Sequence, residues 1–152
     1  MGMMSRLAKA SDRFYDRMRS ADASTVADAR PTGSIDDLEG RKYCVLVSYR
    51  KNGQPMPSPL WFGVADRKLY FHTSPDGYKV KRIRNNPEVL VAPCDSRGKP
   101  LGPPFTGKAR IVADAEADTA ERALKSNYGI GRRIYTALGR SVPAVYVEVT
   151  PV

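Results

Sequence analysis

Histidine occurs once in these 152 residues, tryptophan once and cysteine twice. A single histidine, His72, excludes a histidine-rich zinc site and leaves a Ser–His–Asp triad no choice of base. Two cysteines cannot make a disulfide framework. Cys44 and Cys94 both stand in apolar runs, so the sequence predicts reduced core residues in a cytoplasmic protein. No run approaches the roughly 18 apolar residues of a membrane-spanning helix. The opening MGMMSRLAKASDRF lacks the apolar stretch of a secretory signal peptide. Core material is not scarce: 41% of residues are hydrophobic, enough for one domain with or without a short arm.

Acidic residues are scarce in one stretch only. The net charge is +9, yet residues 1–40 carry −1 and residues 111–152 carry 0, while residues 41–110 hold fourteen basic and four acidic groups. The whole excess lies in the middle of the chain, where some face should attract an anion. A solvated basic surface would give the same composition. The sharper readings are a nucleic acid, a phosphorylated cofactor or an anionic membrane.

Residues 4–19 place Met4, Leu7, Ala8, Phe14, Tyr15 and Met18 near one face at helical spacing, an amphipathic arm that favours packing on protein over membrane contact. Residues 20–40, rich in Ala, Ser, Thr and Asp, read as a linker in which SIDDL (34–38) forms a capped turn. The chain is thus expected to divide into an arm and linker (1–37) and a folded domain (38–152). From position 43 the period becomes that of strands: 43–49, then 55–64 after Asn52-Gly53, then 69–73 after a turn at 66–68. The strand at 55–64 carries prolines at alternate positions, which demands an edge or an irregular stretch because proline has no amide donor. A short helix (78–86) stopped by Pro87, strands 88–94 and 105–113, a helix 118–128 resuming at 132–138, and a strand 144–149 complete the order β-β-β-α-β-β-α-β. Six strands with few helices predict a small antiparallel barrel, closed or partly open.

The segment TSPDGYKVKRIR (73–84) holds the most chemistry. A strand ends in two hydroxyls, Thr73 and Ser74, and a helix then begins with unpaired amides and basic side chains. Helix N-terminal amides bind phosphate, and Lys79 and Lys81 would supply counter-charge. With no P-loop pattern present, a solvated connecting helix explains the same residues. In the proline strand, Pro57, Pro59 and Trp61 alternate with Ser58, Leu60 and Phe62, so the two sets face opposite sides. That edge suits a flat heterocycle, or simply blocks edge-to-edge aggregation. An oligonucleotide-binding barrel using the basic surface is disfavoured, since apart from Tyr70, Phe71 and His72 the aromatics are not interleaved with basic groups on one strand face.

The runs RKYCVLVSYRKNGQPMPSPLWFGV, LYFHTSPDGYKVKRIRNNPEVLVAPC and GKARIV resemble the flavin/deazaflavin split-barrel oxidoreductases, the pyridoxamine-phosphate-oxidase-like proteins, nearest to the branch assigned to coenzyme F420. The likeness spans roughly residues 38–150. It rests on Pro-x-Pro-x-Trp-Phe in the hairpin, on Lys79, Ile83, Asn86 and Pro87 at the helix, and on Gly107–Ala109. It implies a six-stranded split β-barrel and a homodimer with cofactor sites at the subunit interface. Carried over by position, Pro57, Ser58, Pro59, Leu60 and Trp61 would flank the ring system. Thr73 and Ser74 would cap the phosphate, Lys79 would be its main cation, and Val80 and Lys81 would lie near the same tail. Partner groups around Pro93–Asp95 or Pro103–Phe105 would complete the pocket. Tyr78 stands where true pyridoxamine-phosphate oxidases commonly have arginine, which argues against that particular activity.

The resemblance therefore implies an F420-dependent reductase acting by hydride transfer on a small electron-poor substrate. FMN chemistry on the same fold, or binding of either cofactor without catalysis, is the alternative. Arg41, Lys42, Arg50 and Lys51 are possible contacts for the acidic tail of F420. No catalytic acid is identifiable; Tyr128, Tyr135, His72 and water are the candidates. No metal and no nucleic-acid partner are expected.

Overall fold

A computed structural model describes residues 21–128 and 144–152, so the arm expected at 4–19 and the resumed helix at 132–138 lie outside the described residues. Seven strands form one antiparallel sheet: β1 (Tyr43–Tyr49), β2 (Pro55–Leu60), β3 (Gly63–Ala65), β4 (Lys68–Thr73), β5 (Glu88–Cys94), β6 (Phe105–Ile111) and β7 (Val145–Pro151). Helix α1 (Tyr78–Asn85) separates β4 from β5, and α2 (Ala117–Tyr128) follows β6. In space the order is β2-β1-β5-β6-β7-β4-β3.

The expected count of six strands is corrected to seven. The single strand foreseen at 55–64 breaks at Trp61 and Phe62 into β2, which pairs with β1, and β3, which pairs with β4. These are the two opposite edges of the sheet, yet they adjoin in sequence. The sheet must therefore curl until its edges approach, and two residues bridge the seam of the half-barrel. The break has a local cause. Phe62 makes its backbone hydrogen bonds to side chains of α2, Tyr128 and Asn127, instead of to a neighbouring strand. As the prolines required, β2 is an edge, with Pro55, Pro57 and Pro59 at alternate positions along it.

Two clusters flank the sheet near β1. Cys44, Leu46, Phe62, Leu69, Phe71, Ile83, Val91 and Val147 form the interior. On the other face Val45 and Val47 meet Ala23 and Val26 of a 3-10 helix, Ala21–Asp28. The stretch whose composition read as a linker thus contributes two fully buried residues to the core. Small side chains made it look like a spacer, but small side chains are also what allow a helix to lie close on a sheet. The turn at 34–38 is a 3-10 helix, Ile35–Leu38, closed by a capping box. The Asp36 amide donates to Ser34 Oγ (3.2 Å) and the Ser34 amide to Asp37 Oδ2 (2.9 Å).

The turns follow side-chain chemistry rather than composition. At the β1–β2 hairpin only Gly53 has positive φ (86°), whereas Asn52 does not. Asn52 Oδ1 accepts the Gln54 amide (3.0 Å) and the Gly53 amide returns to the Arg50 carbonyl (2.8 Å), a type I turn with a glycine bulge. The two-residue turn with both φ positive is Asp66-Arg67 (51° and 59°), between β3 and β4.

Helix α2 buries Ala120, Ala123 and Leu124, the i, i+3, i+4 face expected of an amphipathic helix. Beneath it, Glu148 of β7 stands in register with Tyr70 of β4 on one side and Arg110 of β6 on the other. Tyr70 Oη donates to its carboxylate (2.9 Å), Arg110 Nε donates (3.0 Å), and Lys68 Nζ lies at 3.8 Å. Burial pushes the carboxyl up, but the hydrogen bonds from Arg110 and Tyr70 and the charges of Arg110 and Lys68 outweigh it and hold Glu148 below its ordinary range. Burial, and then the Glu148 hydrogen bond, push Tyr70 up to about 12. Cys44 and Cys94 are reduced and buried; desolvation raises both thiols, Cys94 to about 12, which leaves neither reactive. No described helix is long and apolar enough to cross a membrane.

Candidate functional site

A cavity of about 480 Å³ opens between the β1–β2 hairpin and α1. Arg50 and Lys51 reach it from the hairpin, Lys81 and Arg82 from the helix, and Met56 and Tyr78 form its less polar wall. Among the described residues, none that lines it is acidic. The helix supplies this wall because Tyr78, Lys81, Arg82 and Asn85 recur at i, i+3, i+4, i+7 and so share one stripe. Arg82 is 91% buried and its Nε donates to Ser48 Oγ (2.7 Å), which fixes one cation against β1. Lys81 Nζ lies 5.7 Å from the centre of the Tyr78 ring, within cation–π range. Four cations around one concavity raise its affinity for phosphate or carboxylate, and an arginine held by a serine is already oriented to donate.

Met56 and Ser58 are successive residues on the interior face of β2, opposite Ser48 and Leu46 of β1. The Ser58 hydroxyl is buried and has no hydrogen-bond partner among the described residues. An unpartnered buried hydroxyl costs on the order of 1–3 kcal/mol, so natural folds tolerate few. This one lies two residues along β2 from Met56 of the cavity wall, without itself lining the cavity.

The residues singled out in sequence divide into several groups. Lys81 lines the cavity. Lys79 does not; it is buried on the adjacent stripe of α1. Val80 is fully buried, so its side chain belongs to the core. Thr73 ends β4 opposite Val145. Ser74 Oγ accepts the Asp76 amide (3.4 Å) and its carbonyl accepts the Gly77 amide (3.1 Å), the turn that launches α1. Leu60 packs against the interior cluster. Pro57 and Pro59 share the other face of β2 with Val45 and Val47 as partners, under the 3-10 helix at 21–28, and so point away from Ser58. Arg82, Met56 and Asn85 escaped selection as ligand contacts, although the helical stripe that includes Lys81 would have found two of them.

Trp61 stacks on Tyr128 at the end of α2, with ring centroids 4.7 Å apart and planes 24° apart. Tyr128 Oη accepts the Phe62 amide (2.8 Å) and donates to the Lys42 carbonyl. Asn127 Nδ2 donates to the carbonyls of Phe62 (2.9 Å) and Arg41 (3.2 Å). Lys42 Nζ donates to Asn127 Oδ1 (3.1 Å) and to the Asn127 carbonyl, and sits 5.6 Å from the Tyr128 ring centre. Lys42 therefore serves this seam through its side chain and Arg41 joins it through its carbonyl, and neither lines the cavity. His72 lies opposite Tyr146, their rings 6.4 Å apart. Tyr135 lies outside the described residues. Tyr70 and Phe71 are buried, so they offer no stacking platform to nucleic-acid bases.

Residues 32–149 match the profile of the family described as pyridoxamine 5′-phosphate oxidase. No curated protein matches the chain. Several solved structures share the fold. A conserved hypothetical protein from Mycobacterium tuberculosis is 20% identical with a TM-score of 0.61, over 88% of this chain and 84% of that one. The heme storage protein HutZ from Vibrio cholerae is 16% identical with a TM-score of 0.60, over 77% and 86%. A protein described as an F420 reductase is 21% identical with a TM-score of 0.54, over 81% and 96%. At these identities the likeness is one of fold.

Proposed function

Because the chain belongs to the pyridoxamine 5′-phosphate oxidase family, we propose that it is an oxidoreductase that binds coenzyme F420 as a homodimer and reduces a small electron-poor organic substrate. The observation that carries this reading is the four-cation cavity between the β1–β2 hairpin and α1, with the buried hydroxyl of Ser58 two residues along β2 from its Met56 wall. Arg50, Lys51, Lys81 and Arg82 hold the acidic end of the cofactor, with Thr73 and Ser74 as hydroxyl donors, and Lys81 and Arg82 take the part expected of Lys79, which is buried off the cavity wall. Ser58, Leu60 and Trp61 face the ring system, and the two prolines shape the edge beside it. When bound, the reduced deazaflavin supplies a hydride from the carbon that replaces a flavin nitrogen. The protein's part is to position the ring and neutralise the tail.

Four cations favour F420 over FMN. One phosphate is satisfied by one or two of them, whereas a phosphate followed by a polyglutamate tail uses all four. The fold shared with an F420 reductase agrees with this reading. FMN is the second reading, favoured by the family description itself.

Side-by-side equilibrium titration of cofactor-free protein with F420 and FMN tests both. F420 is expected to bind at least ten-fold more tightly; the reverse order selects FMN, and no binding of either rejects both. Within the complex, Arg50→Ala and Lys81→Ala are each expected to weaken F420 binding about ten-fold, the size of a charge-assisted hydrogen bond.

A further inference from the structure

The seam of the half-barrel is held from outside the sheet. Phe62 is the residue at which the chain crosses from one sheet edge to the other, and its backbone N–H and C=O both pair with side chains of α2. Asn127 spends both amide protons on carbonyls of Arg41 and Phe62, and Tyr128 uses its hydroxyl as acceptor and donor at once. The same tyrosine ring, itself fixed by those bonds and by Lys42, is the surface on which Trp61 stacks. A hydrophobic plug alone would close the seam. Hydrogen bonds of this number and direction set the angle at which the neighbouring indole stands.

We infer that Asn127 and Tyr128 are positioning residues that act through the Phe62 peptide and the stacked ring to orient Trp61 toward the cofactor. The inference rests on the reading that Trp61 flanks the cofactor ring. It adds a positioning role for the end of α2, where the sequence offered Tyr128 only as a candidate acid.

Trp61 is the single tryptophan, so its fluorescence reports this one place. Tyr128→Phe keeps the stacked ring and removes both hydroxyl bonds. In cofactor-free protein the Phe62 amide should exchange at least ten-fold faster in this variant while the Val45 and Val147 amides keep their wild-type rates. Unchanged exchange at Phe62 overturns the clamp. Titration with F420 and with FMN, followed by quenching of Trp61 emission, should then give at least a five-fold higher Kd and a different quenching amplitude at saturation. Equal Kd and equal amplitude in a variant with fast Phe62 exchange reduce the pair to a structural role and overturn the proposal. If wild-type protein responds to neither cofactor, the oxidoreductase reading falls and the positioning role falls with it. If wild type binds and the variant is unaltered, only the positioning role falls. Should Tyr128→Phe not fold, the isosteric Asn127→Asp, which removes both amide donors, gives the same two readings.

Discussion

Ser58 and Glu148 are both buried polar residues, and they behave oppositely. Glu148 accepts from Tyr70 and Arg110, whereas Ser58 has no partner among the described residues. Ser58→Ala should therefore stabilise the cofactor-free protein by about 1 kcal/mol, raising its thermal midpoint by roughly 2–4 °C in a calorimetric scan, while it weakens cofactor binding. A drop in midpoint would show that the hydroxyl supports the fold. Glu148 has a depressed pKa, so its contribution is complete above the ordinary carboxylate value of 4.5 and is lost as pH falls through the lower folded value. Tyr70 has a raised pKa, so its contribution is complete below 10 and is lost as pH rises toward about 12. Urea midpoints of wild type and Tyr70→Phe should accordingly converge between pH 10 and 12, the variant having no phenol to ionise. Little of this was legible in sequence. Lone Tyr, Arg and Glu residues on three strands carry no motif, and only the cross-strand register brings them together.

At the scale of elements, α2 lies so close to β3 that Gly63 has no room for a side chain: a methyl there would overlap the Ala123 carbonyl and sit 2.5 Å from the Leu124 nitrogen. Gly63→Ala is expected to cost about 1–3 kcal/mol, read as a lower denaturant midpoint, and to loosen the Trp61–Phe62 seam next to it. The strands and helices themselves were readable because the period-2 and period-3.6 patterns are local, and β1, α1 and β5 begin at the residues expected. The break in the proline strand was not readable, because its cause is a pair of side chains more than sixty positions away. Part of the candidate site follows the same division. Lys81 lies on a stripe visible in sequence, whereas the role of Arg82 depends on Ser48, and the orphaned state of Ser58 depends on everything around it.

Across the whole molecule, the charge excess of residues 41–110 converges in part on one concavity, where the hairpin and α1 contribute two cations each. Salt shortens the Debye length from about 10 Å at 0.1 M to about 3 Å at 1 M. The affinity for a multiply charged ligand should therefore fall more steeply with added salt than that for a singly phosphorylated one, and titrations of F420 and FMN at both concentrations would compare the slopes. The sheet order has its own consequence. Among the described residues β7 follows the other six strands in sequence, lies between β6 and β4 and is the strand through which the two halves of the sheet pair. Before Val145–Pro151 is made, strands β1–β6 can form a four-stranded piece and a two-stranded piece, each with a bare edge. Only the arrival of Val145–Pro151 from the ribosome joins them, so a nascent chain stalled before that point is left with unsealed edges open to pairing with its neighbours.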